Sequence, residues 1–245
     1  MGTVRVRLLS YNVHHCQGMD GRVAPERVAR LIGNQDPDIV ALQELDVHRA
    51  RTRHVDQPRL IGDLLRMDVH FHSTMKVARE QYGTAVLSRW PLRKIRSSSL
   101  PSLAGRKLEN RAALWVRVDV PGAELHVVNT HLGLTRGERR LQAEALLGPE
   151  WLGHPDCREP RVLCGDFNMS GGREMTCFDG LCVPSSWSRV GPPPKTWPSL
   201  LPFLALDRVF VSPKIEVESV FSPRDGLARV ASDHLPVVAT LLLRP

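Results

Sequence analysis

The amino-acid sequence predicts an α/β fold in which mixed β-sheets lie beneath an outer layer of helices. Two observations predict it: a strand–helix–strand unit near the beginning of the chain, and several later pairs of strands with the pattern of hairpins. The chain has 245 residues, of which 42% are hydrophobic, so it can bury a sizeable core. The sequence contains no repeat and no linker long enough to divide it. We therefore expect a single domain over residues 1–245.

The strand–helix–strand unit places one polar residue at the end of each of its two strands. Alternating apolar residues predict a strand over residues 4–12, and a short apolar run predicts a second strand over residues 38–43. Between them, Pro25 begins an amphipathic helix, a position that proline favours. If the two strands are neighbours, Asn12 and Glu44 lie at one edge of the sheet, where sites of α/β proteins usually form.

The later elements follow from the same periodicities. Apolar residues at helical spacing predict helices over residues 57–67 and 137–147. Alternating or continuous apolar runs predict the remaining strands, over residues 82–88, 92–98, 112–120, 124–130, 162–164, 206–211, 215–221 and 237–243. The Pro121-Gly122 pair between two of these strands predicts a hairpin turn.

Charge and cysteine usage restrict the partners and the compartment. The net charge of +7 favours an anionic partner, either nucleic acid or an anionic lipid surface. No run of 18 apolar residues is present, so we expect no stable insertion into a membrane. The five cysteines are odd in number and form no CxxC pair, which predicts reduced thiols and a cytoplasmic location.

Polar residues with carboxylate, amide or imidazole side chains recur where apolar runs end. They are Asn12, Glu44, His131, Asp166, Asn168, Asp207, Asp233 and His234. In an extended backbone Asp166 and Asn168 would point the same way, although Gly165–Asn168 also has the composition of a simple turn. The chemistry that the whole set could share is phosphodiester hydrolysis, which needs a cation, a base and donors to the phosphoryl oxygens. Oxygen ligands without a cysteine cluster indicate Mg²⁺ or Mn²⁺ rather than structural zinc.

Six short segments carry a resemblance to a known family. They are Ser10–His14, Ala41–Leu45, Asn129–Leu132, Gly165–Asn168, Leu206–Phe210 and Ser232–Pro236. In this order, and over nearly the whole chain, they resemble the motifs of the endonuclease/exonuclease/phosphatase superfamily, which includes DNase I. The resemblance implies a four-layer αββα sandwich of two mixed β-sheets, with a metal-dependent site at one end.

The resemblance also implies roles for the polar residues on the metal side. Glu44 matches the principal metal carboxylate of the family, and Asp233 matches a further carboxylate beside the metal. Asn12 matches a residue that orients metal-bound water or phosphate. Asp166 and Asn168 match the pair that handles the nucleophile and the phosphate, so Asp166 belongs to both the metal and the catalytic sets.

The histidines complete the inferred catalytic set. His234 matches the catalytic histidine, and Asp207 the carboxylate that orients it. His131 matches the second histidine of the DNase I branch, for which Glu80 is a candidate partner. Arg111 directly precedes a strand and is a candidate phosphate ligand. At the position of His14, exonuclease III-like members usually carry an acidic residue, which argues against a dedicated abasic-site enzyme.

The sequence therefore predicts a Mg²⁺- or Mn²⁺-dependent phosphodiesterase, and specifically a monomeric nuclease that cleaves DNA with little sequence specificity. A phosphatase or phosphodiesterase for inositol phosphates or phospholipid headgroups would use the same metal site and remains an alternative. A catalytically inactive binding module is a further alternative. The completeness of the polar set argues against that module, since loss of catalysis would leave no reason to keep every member.

Overall fold

The computed structural model describes residues 2–105, 108–169 and 192–244. In this part of the chain two mixed β-sheets pack face to face and helices cover their outer faces, which confirms the four-layer arrangement. The helices are α1 (Pro25–Asn34), α2 (Gln57–Leu65), α3 (Arg136–Leu147) and α4 (Gly226–Ala231). The strands are β1 (Val4–Asn12), β2 (Ile39–Val47), β3 (Asp68–Val77), β4 (Glu80–Ser88), β5 (Leu92–Ser99), β6 (Ala112–Val120), β7 (Ala123–His131), β8 (Arg161–Asp166), β9 (Asp207–Val211), β10 (Ile215–Phe221) and β11 (Val237–Leu243).

The first sheet brings together the two strands of the early unit. Its order is β10-β11-β1-β2-β4-β3, with β1 and β2 parallel and the other pairs antiparallel. Asn12 is in register with Gln43, so the side chain of the next residue, Glu44, reaches the same edge. The predicted pairing of these strands is confirmed.

The second sheet aligns three of the predicted site residues across neighbouring strands. Its order is β5-β6-β7-β8-β9, with β7 and β8 parallel. His131 at the end of β7 is in register with Asp166 at the end of β8, and Asp166 is in register with Asp207 at the start of β9. Residues far apart in sequence thus meet at one edge because each lies at the corresponding end of its strand.

Alternation along the strands divides the core into layers. On β1, Leu8 packs between the two sheets whereas Leu9 packs against the helices outside, as period-two geometry requires. Helices α1 and α2 cover the first sheet, and α3 covers the second through residues such as Leu146. The two sheets share one continuous apolar layer, which holds their site edges side by side.

Two elements differ from the sequence prediction. Strand β3 was not predicted, because it is an edge strand whose residues are mostly half-buried and whose sequence mixes histidine, serine and threonine with apolar residues. Helix α4 has only six residues, too few for a helical periodicity to be recognised. Neither element carries a predicted site residue.

Two further features of the described residues concern helix hydrophobicity and the cysteines. No helix of the described residues has the length and hydrophobicity needed to cross a bilayer. Cys16, Cys157 and Cys164 are buried free thiols. Cys177 and Cys182 lie outside the described residues.

Candidate active site

A bulge in β2 aims Glu44 at the shared edge of the sheets. The register between β2 and β4 shifts between Leu42 and Leu45, and Glu44 adopts a left-handed backbone with φ of 61°. The Asn12 amide nitrogen then donates to both Glu44 Oε1, at 2.9 Å, and Asp166 Oδ2, at 3.0 Å. A single buried amide therefore holds carboxylates from the two sheets next to each other, while its own oxygen accepts from His14 N.

Asp166 is fixed by a glycine that no other residue could replace without movement. Gly165 has φ of 142°, and a Cβ at this position would lie 1.8 Å from the Thr130 carbonyl oxygen on the neighbouring strand. The close approach of β7 and β8 sets where Asp166 leaves the sheet. Its Oδ1 accepts from Asn168 N at 2.8 Å, so the carboxylate is held from both sides.

We expect Gly165→Ala to lower stability by more than about 2 kcal/mol, because the new methyl group collides with backbone rather than with a movable side chain. Gly226→Ala is the matched control: nothing lies within 4 Å of its ideal Cβ, so its effect should be neutral or slightly stabilising. Urea unfolding of both variants measures the difference. Equal midpoints for the two variants would contradict the close approach of β7 and β8.

His234 and Asp207 form a buried pair. His234 Nδ1 lies 2.9 Å from Asp207 Oδ2, and both side chains are almost fully buried. Burial by itself lowers the pKa of His234, but the carboxylates of Asp207 and Asp166 outweigh it and raise the pKa to about 10. The other ring nitrogen, Nε2, lies 3.7 Å from Asp166 Oδ2. The geometry thus favours a protonated imidazole that faces the centre of the site.

His131 has the opposite electrostatic environment. Arg111 NH1 lies 3.0 Å from its Nδ1, and the Asn168 side-chain amide lies 3.1 Å from its Nε2. Burial, aided by the positive charge of Arg111, lowers the pKa of His131 to about 3. His131 Nε2 lies 3.5 Å from Asp166 Oδ2. A neutral and a protonated histidine therefore face the same carboxylate from two sides.

The structure does not bring Glu80 to His131, contrary to the inference from the resemblance. Glu80 is the first residue of β4, and its carboxylate accepts from Ala50 N at 3.1 Å and lies 3.8 Å from Arg49. The β4 backbone has several residues still to run before it reaches the site edge, so the side chain remains with the loop after β2. Arg111, predicted only as a phosphate ligand, occupies the position beside His131.

A buried hydrogen-bond network locks the two sheets together beneath the site. The Asn129 amide, on the second sheet, donates to Leu42 O and Thr84 Oγ1 on the first and accepts from Gln43 Nε2. Because these groups are fully buried, breaking one partner would leave unsatisfied polar atoms. The network fixes the position of Glu44 relative to His131, and Glu44 Oε1 lies 3.9 Å from His131 Nδ1.

The carboxylates have the donor chemistry that a divalent cation requires. Burial raises the pKa of Glu44, and the negative charges of Asp166 and Asp233 raise it further. A hard cation would relieve this repulsion, and oxygen ligands suit Mg²⁺ or Mn²⁺. Asp166, Asp207 and His234 also converge to within 4.8 Å. Asp207 and His234 are already paired with each other by a hydrogen bond, so Glu44 with Asp166 is the better-suited pair.

Sequence reasoning missed a serine, Ser232, that joins two segments of the site. Ser232 Oγ donates to Asn12 O at 2.9 Å and accepts from His234 N at 3.3 Å. It ties the segment of Asp233 and His234 to the end of β1. The available signal was its position in the segment Ser232–Pro236, in which only Asp233 and His234 were predicted as site residues.

A family profile and a bacterial protein match nearly the whole chain. The profile of the "Endonuclease/Exonuclease/phosphatase family" matches residues 9–234. A protein of Escherichia coli strain K12, described as "Uncharacterized protein YbhP", is 27% identical over 251 residues, which cover 97% of this chain and 96% of that protein.

Solved structures of low sequence identity share the fold. An endonuclease/exonuclease/phosphatase family protein from Bacteroides thetaiotaomicron superposes with a TM-score of 0.79 at 18% identity and covers 100% of both chains. A mannosyl-6-phosphatase, Bt3783, from B. thetaiotaomicron VPI-5482 gives 0.73 at 19% identity and covers 96% of this chain and 99% of its own. The TDP2 protein of D. rerio, complexed with single-strand DNA product, gives 0.67 at 18% identity and covers 97% and 98%.

Proposed function

The chain belongs to the endonuclease/exonuclease/phosphatase family, and from this premise we propose that it is a divalent-metal-dependent phosphodiesterase that cleaves DNA with little sequence specificity. One observation carries the proposal. Asp166 Oδ2 lies within 4 Å of a ring nitrogen of both His131 and His234, and one amide joins Asp166 to Glu44. Acid–base groups and candidate metal ligands thus surround one point at the edge of the sheets.

Glu44 and Asp166 would hold the metal, with Asp233 beside them. A bound Mg²⁺ or Mn²⁺ supplies neutralisation of negative charge on the phosphoryl oxygens. The Asn12 side-chain amide holds the two carboxylates together. It could contact the substrate only after rotating away from these hydrogen bonds. Asn168 and Arg111 lie next to His131 on the second sheet, where their N–H groups can donate to a phosphate.

Asp166 and His234 provide the proton transfers, and His131 positions the groups beside them. Asp166 takes a proton from the attacking water, because it is the central carboxylate and is held by Asn168 N. His234 carries a proton, which Asp207 stabilises, and presents it to the leaving oxygen. His131 remains neutral and keeps Arg111 and Asn168 in place. Environments that push the protonation states of neighbouring groups apart are the usual basis of such assignments.

DNA is the substrate that the charge and one relative support. The net charge of +7 suits a polyanion. The D. rerio TDP2 structure, with the same fold, contains a single-strand DNA product. The buried free cysteines Cys16, Cys157 and Cys164 are consistent with the cytoplasm. We propose that the chain acts there as a monomer and as a single domain.

A phosphatase for small phosphorylated molecules is the second candidate, and a specific observation favours it. A pocket of about 480 Å³ adjoins Glu44, a size that suits a small ligand. The mannosyl-6-phosphatase of B. thetaiotaomicron shares the fold. This alternative uses the same metal ligands and the same His234–Asp207 pair, so only substrates distinguish it from a nuclease.

The test is a panel of plasmid DNA, single-stranded DNA, RNA, inositol phosphates and sugar phosphates, each with Mg²⁺, Mn²⁺ or EDTA. We expect metal-dependent cleavage of DNA. We also expect its affinity to fall about tenfold or more between 50 and 200 mM salt, since phosphate contacts release counterions. Turnover of sugar phosphates alone, with affinity insensitive to salt, would select the phosphatase. Absence of turnover in every combination would select the inactive binding module.

A further inference from the structure

A pocket beside the site is built from segments that the proposed chemistry does not use. It has a volume of about 480 Å³ and shares Glu44 with the site. One wall is the short turn at residues 14–16, and another is the loop after β2 that carries Arg49 and Arg51. Tyr82 from β4 also lines the pocket. Anything bound at the metal ligands would therefore have this pocket next to it.

The turn at residues 14–16 has an unusual backbone. His14, His15 and Cys16 all have positive φ values, of 46°, 42° and 60°. Three consecutive non-glycine residues in the left-handed region are rarely found, and such strain is typical of functional sites. Gln57 Nε2 holds the turn by donating to His15 O at 2.7 Å. The turn directs the half-exposed His14 ring to within 3.9 Å of Asp233 Oδ1, at the junction of site and pocket.

The loop after β2 contributes two arginines, which differ in their hydrogen bonding. Arg51 makes two hydrogen bonds to the buried Asp46 carboxylate, at 2.7 and 2.8 Å, and its guanidinium lies 5.6 Å from the centre of the Tyr82 ring. Its charge is therefore matched and its position fixed. It forms a rigid wall of the pocket.

Arg49 is the cation of the pocket that is left without a hydrogen-bond partner. Its side chain is 23% exposed, yet its guanidinium, including the buried Nε, makes no hydrogen bond to any described residue. Its ion pairs are long, 3.6 Å to Asp46 and 3.8 Å to Glu80. Asp46 is already bound by Arg51, so the Arg49 guanidinium retains donors for another anion. A mostly buried guanidinium with unused donors fits an anionic ligand.

We propose that this pocket binds a second phosphate group of the substrate, next to the phosphate that is hydrolysed, and that Arg49 is the residue that holds it. The inference rests on the proposed function, since Glu44 connects the two positions. Two sources would supply the same chemistry: the neighbouring phosphate of a nucleic acid strand, or the second phosphate of a small bisphosphorylated molecule. In either case Arg49 is a specificity residue and takes no part in proton transfer.

The experiment compares substrates that differ by one phosphate. The nucleic acid arm uses thymidylyl-thymidine with and without a terminal phosphate at either end. The small-molecule arm uses propane-1,3-diol monophosphate and bisphosphate. For the wild-type protein we expect the added phosphate to lower KM by about 10- to 100-fold in one arm, the range of one hydrogen bond between charged groups. The arm that responds identifies the source.

Arg49→Gln should remove this preference through KM and leave kcat on the minimal substrate within about twofold. Arg49→Lys should keep part of it, because lysine retains the charge without the planar pair of donors. Arg53→Gln is the matched control: it removes the same charge from an exposed position of the same loop, outside the pocket, and should behave as wild type. Thermal unfolding of the variants checks that each is folded.

The outcomes separate this inference from the proposed function. Hydrolysis without any preference for the added phosphate, or an Arg49→Gln effect equal on both members of a pair, overturns the second phosphate site and leaves the function intact. If no substrate is hydrolysed, the affinities for the same pairs are measured by calorimetry in EDTA. If nothing is hydrolysed but the added phosphate still tightens binding in an Arg49-dependent way, the function is wrong and the site stands. If nothing is hydrolysed and the two members of each pair also bind with equal affinity, the second phosphate site is wrong too.

Discussion

Replacing His234 with alanine is expected to lower the turnover number by about 10²–10⁴-fold, the usual contribution of one positioned acid or base. The side chain is almost fully buried, hydrogen-bonded to Asp207 and within 3.7 Å of Asp166, and its imidazole is the group that we propose donates the proton. Substrate affinity should stay near the wild-type value, because the metal ligands and Arg111 remain. Steady-state kinetics with separate kcat and KM measures both. An unchanged kcat would exclude His234 from the chemistry.

The partner residue supplies the control for this result. Asp207→Asn should also reduce kcat, and the double variant should be little worse than either single variant, since residues that act as a unit are not additive. Losses that multiply in the double variant would show that the two residues act separately. The imidazole gives a second measure by NMR titration: its folded-state pKa, about 10 with Asp207, should fall in Asp207→Asn.

The sign of the accompanying stability change follows from the direction of that shift. The pKa of His234 is raised from its ordinary 6.5 to about 10, so the charged pair stabilises the fold fully below pH 6.5. This stabilisation is lost as the pH rises through about 10. Asp207→Asn should therefore cost more stability at pH 6 than above pH 10, a dependence that a role in packing alone would not produce.

Most strands could be predicted because they are apolar runs that stop at polar residues, proline or glycine. The strand ends also identified the site: in the structure, β7, β8 and β9 place His131, Asp166 and Asp207 in register. What the sequence could not supply was the order of the strands across each sheet. Whether residues more than 30 positions apart meet depends on that order, and neither local periodicity nor composition encodes it.

Several features that could not be predicted from the sequence depend on backbone conformation. Glu44 leaves its strand through a left-handed residue at a bulge, not at a strand end as predicted. The turn at residues 14–16 contains no glycine or asparagine, the usual signals for such a conformation. The placement of Arg49 in a pocket follows from that bulge and the loop after it. The inferred pairing of Glu80 with His131 depended on a short local match, which could not show where β4 begins relative to the site edge.

The second large effect is expected at Glu44. Glu44→Gln should lower metal-dependent turnover by about 10²–10⁴-fold, since a metal supplies several kcal/mol of charge stabilisation and each 1.4 kcal/mol is a factor of ten. It should also abolish binding of Mn²⁺ at this site, measured by calorimetry without substrate. The fold should persist, because the side chain lies at the sheet edge and contributes little to the core.

The same substitution should stabilise the metal-free protein. Burial and the neighbouring carboxylates raise the pKa of Glu44, so its charge is unfavourable in the folded state at neutral pH, and the neutral amide removes that repulsion. We therefore expect Glu44→Gln to melt at a higher temperature than wild type in EDTA. With saturating Mn²⁺ the order should reverse, because only the wild type gains stability from binding the ion. Glu124→Gln, in the β6–β7 hairpin at the far end of the second sheet, should change neither value. A wild-type melting temperature that does not respond to Mn²⁺ would remove the metal from this site and, with it, the proposed reason for Glu44, Asp166 and Asp233 to lie close together.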